Sequence, residues 1–196
     1  MCIRDSLNDG RLTRDDYRSL LVNLRQQVID GSRWIARAAS NIALDDPDLR
    51  TAFLAHATDE HRDYTLLERD YVACGGDLSE ICGARKNIGS EALSAWMFQR
   101  AGRENPFDLL GAMFIIEGLG SRLAGRWARQ IKEQLSLADD QIGFLTHHGE
   151  ADQAHMARFA EVLDRVVQAG QDPAEIVRTA QVTARLYRLQ LEEIGR

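Results

Sequence analysis

Apolar residues recur at helical spacing along nearly the whole chain. Over residues 13–42 they fall at Leu20, Leu21, Leu24, Val28, Trp34 and Ile35, the stripe of a helix with one buried face. No stretch alternates apolar and polar residues with β-branched enrichment, so no sheet is predicted. The three prolines, Pro47, Pro106 and Pro173, follow Asp46, Asn105 and Asp172. Asp or Asn before Pro is a helix-start signal, because the side chain can cap the free N–H groups and Pro suits the first helical position. The phasing predicts helices over 47–73, 106–134 and 173–193. Residues 13–42 and 138–168 supply two more, and Ser90 is placed to cap a shorter one over 91–102. Gly75-Gly76 and Gly170 stand where helices should stop. The sizeable irregular connection is 75–89. The pattern therefore predicts an all-α bundle of about six helices, one domain spanning 1–196.

Composition narrows the class. The chain has 196 residues, 44% hydrophobic and 28% charged, a globular balance with enough length to bury a core. No apolar run approaches the roughly 20 residues of a membrane helix, so no membrane partner is expected. The net charge of −6 argues against nucleic acid, whose phosphates need a basic patch. Cys2, Cys74 and Cys82 show no CxxC spacing and suggest neither a disulfide framework nor a zinc knuckle. Those cysteines and the lack of an apolar leader lead to a cytoplasmic expectation. The opening Met-Cys-Ile-Arg-Asp-Ser resembles a translated sequencing adapter. Residues 1–6 are set aside on that ground, with a different native N-terminus expected. Apolar helix edges in such a bundle often pair, which leaves a homodimer open.

All five histidines lie in two windows. The second reads His147-His148-Gly-Glu150-Ala-Asp152-Gln-Ala-His155. At about 100° per residue, His148, Asp152 and His155 fall within roughly 60° of one another on a helix. Two imidazoles and a carboxylate on one stripe suit iron, manganese or zinc. His147 is rotated out of that stripe. The bland alternative is a pair of surface histidines with an Asp neighbour.

Two further pieces complete the set. Glu117 has Leu110, Met113 and Phe114 as its helical neighbours, so it sits on an apolar face. A carboxylate buried alone costs several kcal/mol and must protonate or find a partner. That partner could be a metal, or a buried Tyr, Trp or backbone group. Gly118, Gly120 and Gly125 would let another helix approach closely. In the first window, His56, Glu60 and Asp63 share a face at i, i+4, i+7. His61 points about 100° away from Glu60 and is expected outside the ligand set. A solvated polar face is the alternative for this window. The candidate metal ligands are thus Glu60, Asp63, Glu117, His148, Asp152 and His155, with His56 and His61 as substitutes. Hard oxygen and borderline nitrogen donors on three helices match two iron ions in a bundle. The same donors suit manganese. Substrate is expected between helices, against Met113, Phe114 or Phe144.

These motifs resemble the heme-oxygenase-like helical proteins that bind two irons, the iron-containing redox enzymes. Three segments carry the resemblance, which covers roughly residues 20–168: His56-Ala-Thr-Asp59-Glu60 with Leu67-Glu-Arg-Asp70-Tyr-Val-Ala-Cys-Gly75, then Ile116-Glu117-Gly-Leu-Gly, and Phe144-Leu-Thr-His-His148-Gly-Glu-Ala-Asp152-Gln-Ala-His155. The last is the most specific. In that family a Glu-x-x-His pair, a lone Glu and a His-x3-Asp-x2-His set hold the metals. Glu60, Glu117, His148, Asp152 and His155 match, whereas Asp63 stands where the family has His. The resemblance implies a non-heme, O2-activating oxidase or oxygenase with two irons per chain, acting on a small organic molecule with an undetermined electron donor. The departure at Asp63 leaves one iron, manganese or a non-catalytic helical binding protein as alternatives. A true heme oxygenase needs a proximal histidine near the N-terminus, and the first histidine here is His56. A thiaminase-like hydrolase needs a nucleophilic cysteine beside an acid–base pair, and neither Cys74 nor Cys82 has one in the sequence.

Overall fold

The computed structural model describes the backbone of residues 3–194, and their side chains except those of residues 3, 4 and 150–154. The fold is all-α, as the periodicity predicts, and no strand occurs among the described residues. Eleven α-helical segments occur there: α1 (Ile3–Asn8), α2 (Arg14–Val28), α3 (Gly31–Ser40), α4 (Pro47–Asp59), α5 (Tyr64–Ala73), α6 (Leu78–Gly83), α7 (Ile88–Ala101), α8 (Leu109–Leu119), α9 (Gly125–Leu135), α10 (Gly143–Gln168) and α11 (Pro173–Glu192). Two of them, α1 and α6, have only six residues. The number exceeds six mainly because three predicted rods are each broken in two.

The breaks fall at three defined places. The 13–42 rod divides at Asp30-Gly31, where the Asp30 carboxylate is engaged by Arg33 at 2.9 Å, Lys86 at 3.0 Å and Ser94 at 2.6 Å. The 47–73 rod tightens to a 3₁₀ turn at Glu60–Arg62. The 106–134 rod widens to a π segment at Gly120–Ala124, a form often found beside functional sites.

Two of the three proline starts hold. Asp46 accepts from Leu49 N ahead of Pro47, and Asp172 accepts from Ala174 N ahead of Pro173. Pro106 does not open α8, which begins at Leu109. Asn105 is spent elsewhere: it takes a left-handed φ of 46°, its Oδ1 accepts from Ala43 N, and its N–H donates to Asn41 O. Asn87, not Ser90, caps α7. The Ser90 hydroxyl is buried against Asn23 and Gln190 instead. The 75–89 connection contains α6, started by Asp77 with Glu80 in a capping box.

The buried core forms two apolar clusters. One gathers Trp34, Ile35, Phe53, Met97, Leu109 and Met113. The other gathers Leu20, Leu24, Leu67, Ile131, Phe144 and Leu145. Asp70, 2% exposed, accepts from both Gly143 N and Phe144 N and so fixes where α10 begins. No described helix is long and apolar enough to cross a membrane.

Candidate metal centre

Four elements bring acids and imidazoles together between the clusters. His56 comes from α4, Glu60 and Asp63 from the 3₁₀ turn and its end, Glu117 from α8, and His148 and His155 from α10. The 3₁₀ turn has three residues per turn, so Glu60 and Asp63 project on one edge. Packing of α10 against the start of α9, just past the π segment, depends on a glycine contact. A Cβ at Gly149 would lie 2.8 Å from Gly125 N and 2.9 Å from Gly125 Cα. The expected close approach of another helix at Gly125 is thus present, and it sets the depth of the His148 side of α10.

The side chains form two groups with one member in common. His56, Glu60, Glu117 and His155 each offer a donor atom within 4.8 Å of the others, and so do Glu60, Asp63 and His148. Within the first group, His155 Nδ1 is 3.0 Å from Glu117 Oε2 and 3.6 Å from Glu60 Oε1. His56 Nε2 lies 3.3 Å from Glu117 Oε1, and the His56 and His155 rings meet edge-on. Within the second, His148 Nε2 lies 3.5 Å from Asp63 Oδ2, with the Phe144 ring 4.4 Å from its own.

The protonation preferences follow from this crowding. Burial pushes the Glu60 carboxyl up to about 7, helped by the negative Glu117 beside it. Burial also opposes ionisation of Glu117, but hydrogen bonds and charge from His155 and His56 outweigh it and hold Glu117 at about 2. Glu117 in turn raises His155, against the burial of its ring. Glu60 Oε1 is buried with no hydrogen-bond partner among the described residues. An unpartnered buried carboxylate oxygen facing three imidazoles and two more acids is what a cation would satisfy, so the donor set fits iron or manganese.

The sequence-derived set is therefore mostly assembled. Glu60, Asp63, Glu117, His148 and His155 converge. His56, held as a substitute, joins the Glu117 group. His61 and His147 are exposed and outside the groups. The Asp152 side chain lies outside the described residues. Of the expected substrate-facing residues, Met113 and Phe144 line a cavity at the site, whereas Phe114 does not. One residue on from Met113, it turns about 100° away, is 41% exposed and packs on Phe159. Two residues escaped the sequence reading. Asp59 lies 3.7 Å from His155 Nε2 and is held by Arg158 at 2.7 Å. The adjacency of Asp59 to Glu60 was the only signal, and an exposed Asp on a charged stretch gives little reason to single it out.

No curated protein matches the chain significantly. Among solved structures, a domain of unknown function with a heme oxygenase-like fold from Shewanella denitrificans OS217 superimposes with a TM-score of 0.86, covering 97% of this chain and 82% of that one at 16% identity. A TenA homolog from Pseudomonas syringae pv. tomato DC3000 gives a TM-score of 0.78 over 98% and 84% at 18% identity. At such identities the likeness fixes the fold as heme-oxygenase-like and nothing further. The model of one family, described as iron-containing redox enzyme, matches residues 19–188. The chain belongs to that iron-containing redox enzyme family.

Proposed function

We propose that this protein is a non-heme iron oxidase or oxygenase with a dinuclear site, acting on a small organic substrate. The observation that carries the reading is the sharing of Glu60 between the two donor groups. A carboxylate has two oxygens and can serve two neighbouring ions at once. His56, Glu117 and His155 would hold one ion, and Asp63 and His148 the other, with Glu60 between them. Asp152, between His148 and His155 in the His-x3-Asp-x2-His stripe, would be a further donor. Bound there, iron would supply O2 activation and redox chemistry.

The chain's own residues do the rest. Glu117 stays ionised at neutral pH and keeps His155 and His56 turned inward. Glu60 must release its proton to serve as a donor, because burial and Glu117 favour its neutral form in the free chain. The acid and imidazole side chains are 16% exposed or less, which keeps bulk water from the centre. Met113 and Phe144 face the site from the cavity and give substrate an apolar surface.

Anaerobic loading with ferrous iron tests the reading. Two irons per chain, with O2 uptake on exposure to air, support it. One iron would show that Asp63, in the place of an expected His, leaves the second group too weak. No iron at all would favour a non-catalytic helical binding protein.

A further inference from the structure

Two cavities reach the donor groups, and they share a wall. The larger, about 130 Å³, draws its sides from both apolar clusters, with Leu20 and Leu24 of α2 and Trp34 and Ile35 of α3. It touches His56, Glu60, Glu117 and His148. The smaller, about 50 Å³, lies between α4, α8 and α10 and touches His56, Glu117 and His155. His56, Met113 and Glu117 line both. Native interiors are close-packed and keep few voids larger than a water, so a second opening onto one buried cluster calls for a use.

The smaller cavity suits a small apolar guest. At about 10–15 Å³ for each water-sized group it holds roughly four, too few for a substrate body and enough for a diatomic gas. Its walls include Ala52 and Phe53 of α4, Leu110 and Met113 of α8, and Phe159 and Val162 of α10. A water needs two to four polar partners, which that stretch of side chains does not supply, whereas apolar cavities stay dry and take up xenon. The cavity also runs outward. Arg158 lines it with a side chain more than half exposed, while Glu117 at the inner end is buried. The Arg158 charge is paired with Asp59 at 2.7 Å. A substrate in the larger cavity would lie over Glu60 and His148, so O2 needs another way to the same acids and imidazoles.

We propose that the smaller cavity is a separate site and route for O2, which meets the His56–Glu117–His155 group from between α4 and α10 while substrate occupies the larger cavity. This rests on reading that group as a metal position. O2 is neutral and dissolves better in apolar surroundings than in water, so it enters without a polar group to bind it. Ala52 and Val162, both half-buried, set the bore.

The test has two probes: xenon on the iron-free chain, located by crystallography under xenon pressure, and O2 on the ferrous chain, followed by the rate of iron oxidation after rapid mixing. Xenon is expected among Phe53, Leu110 and Val162, and Val162→Phe should exclude it from there. For the O2 arm the larger cavity is first filled by Leu24→Trp, with Leu20→Phe as the alternative filling, which should leave oxidation within about two-fold of the parent. Adding Val162→Phe should then slow oxidation at least about ten-fold, with helical circular dichroism and iron content as in the parent. Ala52→Phe is the second plug, read the same way. Ordered water in place of xenon would overturn the proposal, as would oxidation unchanged by both plugs. So would Leu24→Trp alone slowing oxidation as far as the double variant. Iron is counted separately, so a chain that takes no iron yet holds xenon in this cavity would refute the dinuclear reading and leave the gas site standing.

Discussion

His155 Nδ1 stands 3.0 Å from Glu117 Oε2, joining α10 to α8 across 38 residues of sequence. His148, two turns earlier on α10, faces Asp63 instead. One helix therefore serves two donor groups. His155→Ala and His148→Ala are each expected to lower the ferrous iron content from two to about one per chain, with helical content preserved. Metal counting on the purified variants checks this. Unchanged iron in both would remove the ligand assignment.

Asp59 is expected to act through His155. It stands 3.7 Å from Nε2, just beyond hydrogen-bond reach, and is itself held by Arg158; a small approach would let Nε2–H donate to it and leave the Nδ1 lone pair for the metal. Loss of such a supporting carboxylate typically costs ~10–100-fold in metal affinity. Asp59→Asn should reduce iron retention by about ten-fold in competition with a chelator, and Arg158→Gln should do so less. Retention equal to the parent in both would make Asp59 an ordinary surface acid.

The Gly149–Gly125 contact should be intolerant of a methyl group. A Cβ at Gly149 would sit 2.9 Å from the Gly125 Cα, and backbone on both sides leaves little room to yield. Gly149→Ala is expected to cost about 1–3 kcal/mol, the usual range for overpacking, and to shift His148 away from Asp63. Urea melts give the first quantity and iron content the second. A variant as stable as the parent would show that α9 and α10 separate readily.

Asp70 gives the fold a pH signature away from the metal centre. Burial raises its carboxyl to about 6 from an ordinary value of 3.8, although bonds from Phe144 N and Gly143 N pull the other way. The folded chain therefore holds this proton more tightly than the unfolded chain. The contribution of Asp70 to stability is greatest below 3.8, falls as pH rises to about 6, and is level above that. Asp70→Asn should remove this component while retaining one acceptor for the start of α10. Urea midpoints measured across that window check it, and identical profiles for parent and variant would contradict it.

Much of the fold was legible because helical signals are local. Asp46-Pro47 and Asp172-Pro173 open helices in the structure as they do in the sequence, and Gly75 and Gly170 end them with φ of 84° and 86°. Where a capping side chain was claimed by a distant partner, the local signal misled. Asn105 is bound to Asn41 and Ala43, and Ser90 to Gln190, so neither caps the predicted helix. The 3₁₀ turn at Glu60 and the π segment at Gly120 are changes of winding that a fixed period cannot register. The α10 stripe was visible because its spacing lies within one helix. The union of His56 with Glu117 is a contact between α4 and α8 and has no such trace. The cavity was half-legible: Met113 and Phe144 were expected to face substrate, but the α2 and α3 wall is simply apolar sequence until the clusters are seen apart.

The central claim is that Glu60 joins two metal positions. Low-temperature Mössbauer spectroscopy of the chain loaded with enriched ferrous iron and then oxidised in air tests it most directly. A shared carboxylate predicts a diamagnetic, antiferromagnetically coupled diferric pair, reduced to uncoupled iron in Glu60→Ala. Magnetically isolated ferric ions in the parent chain would contradict it.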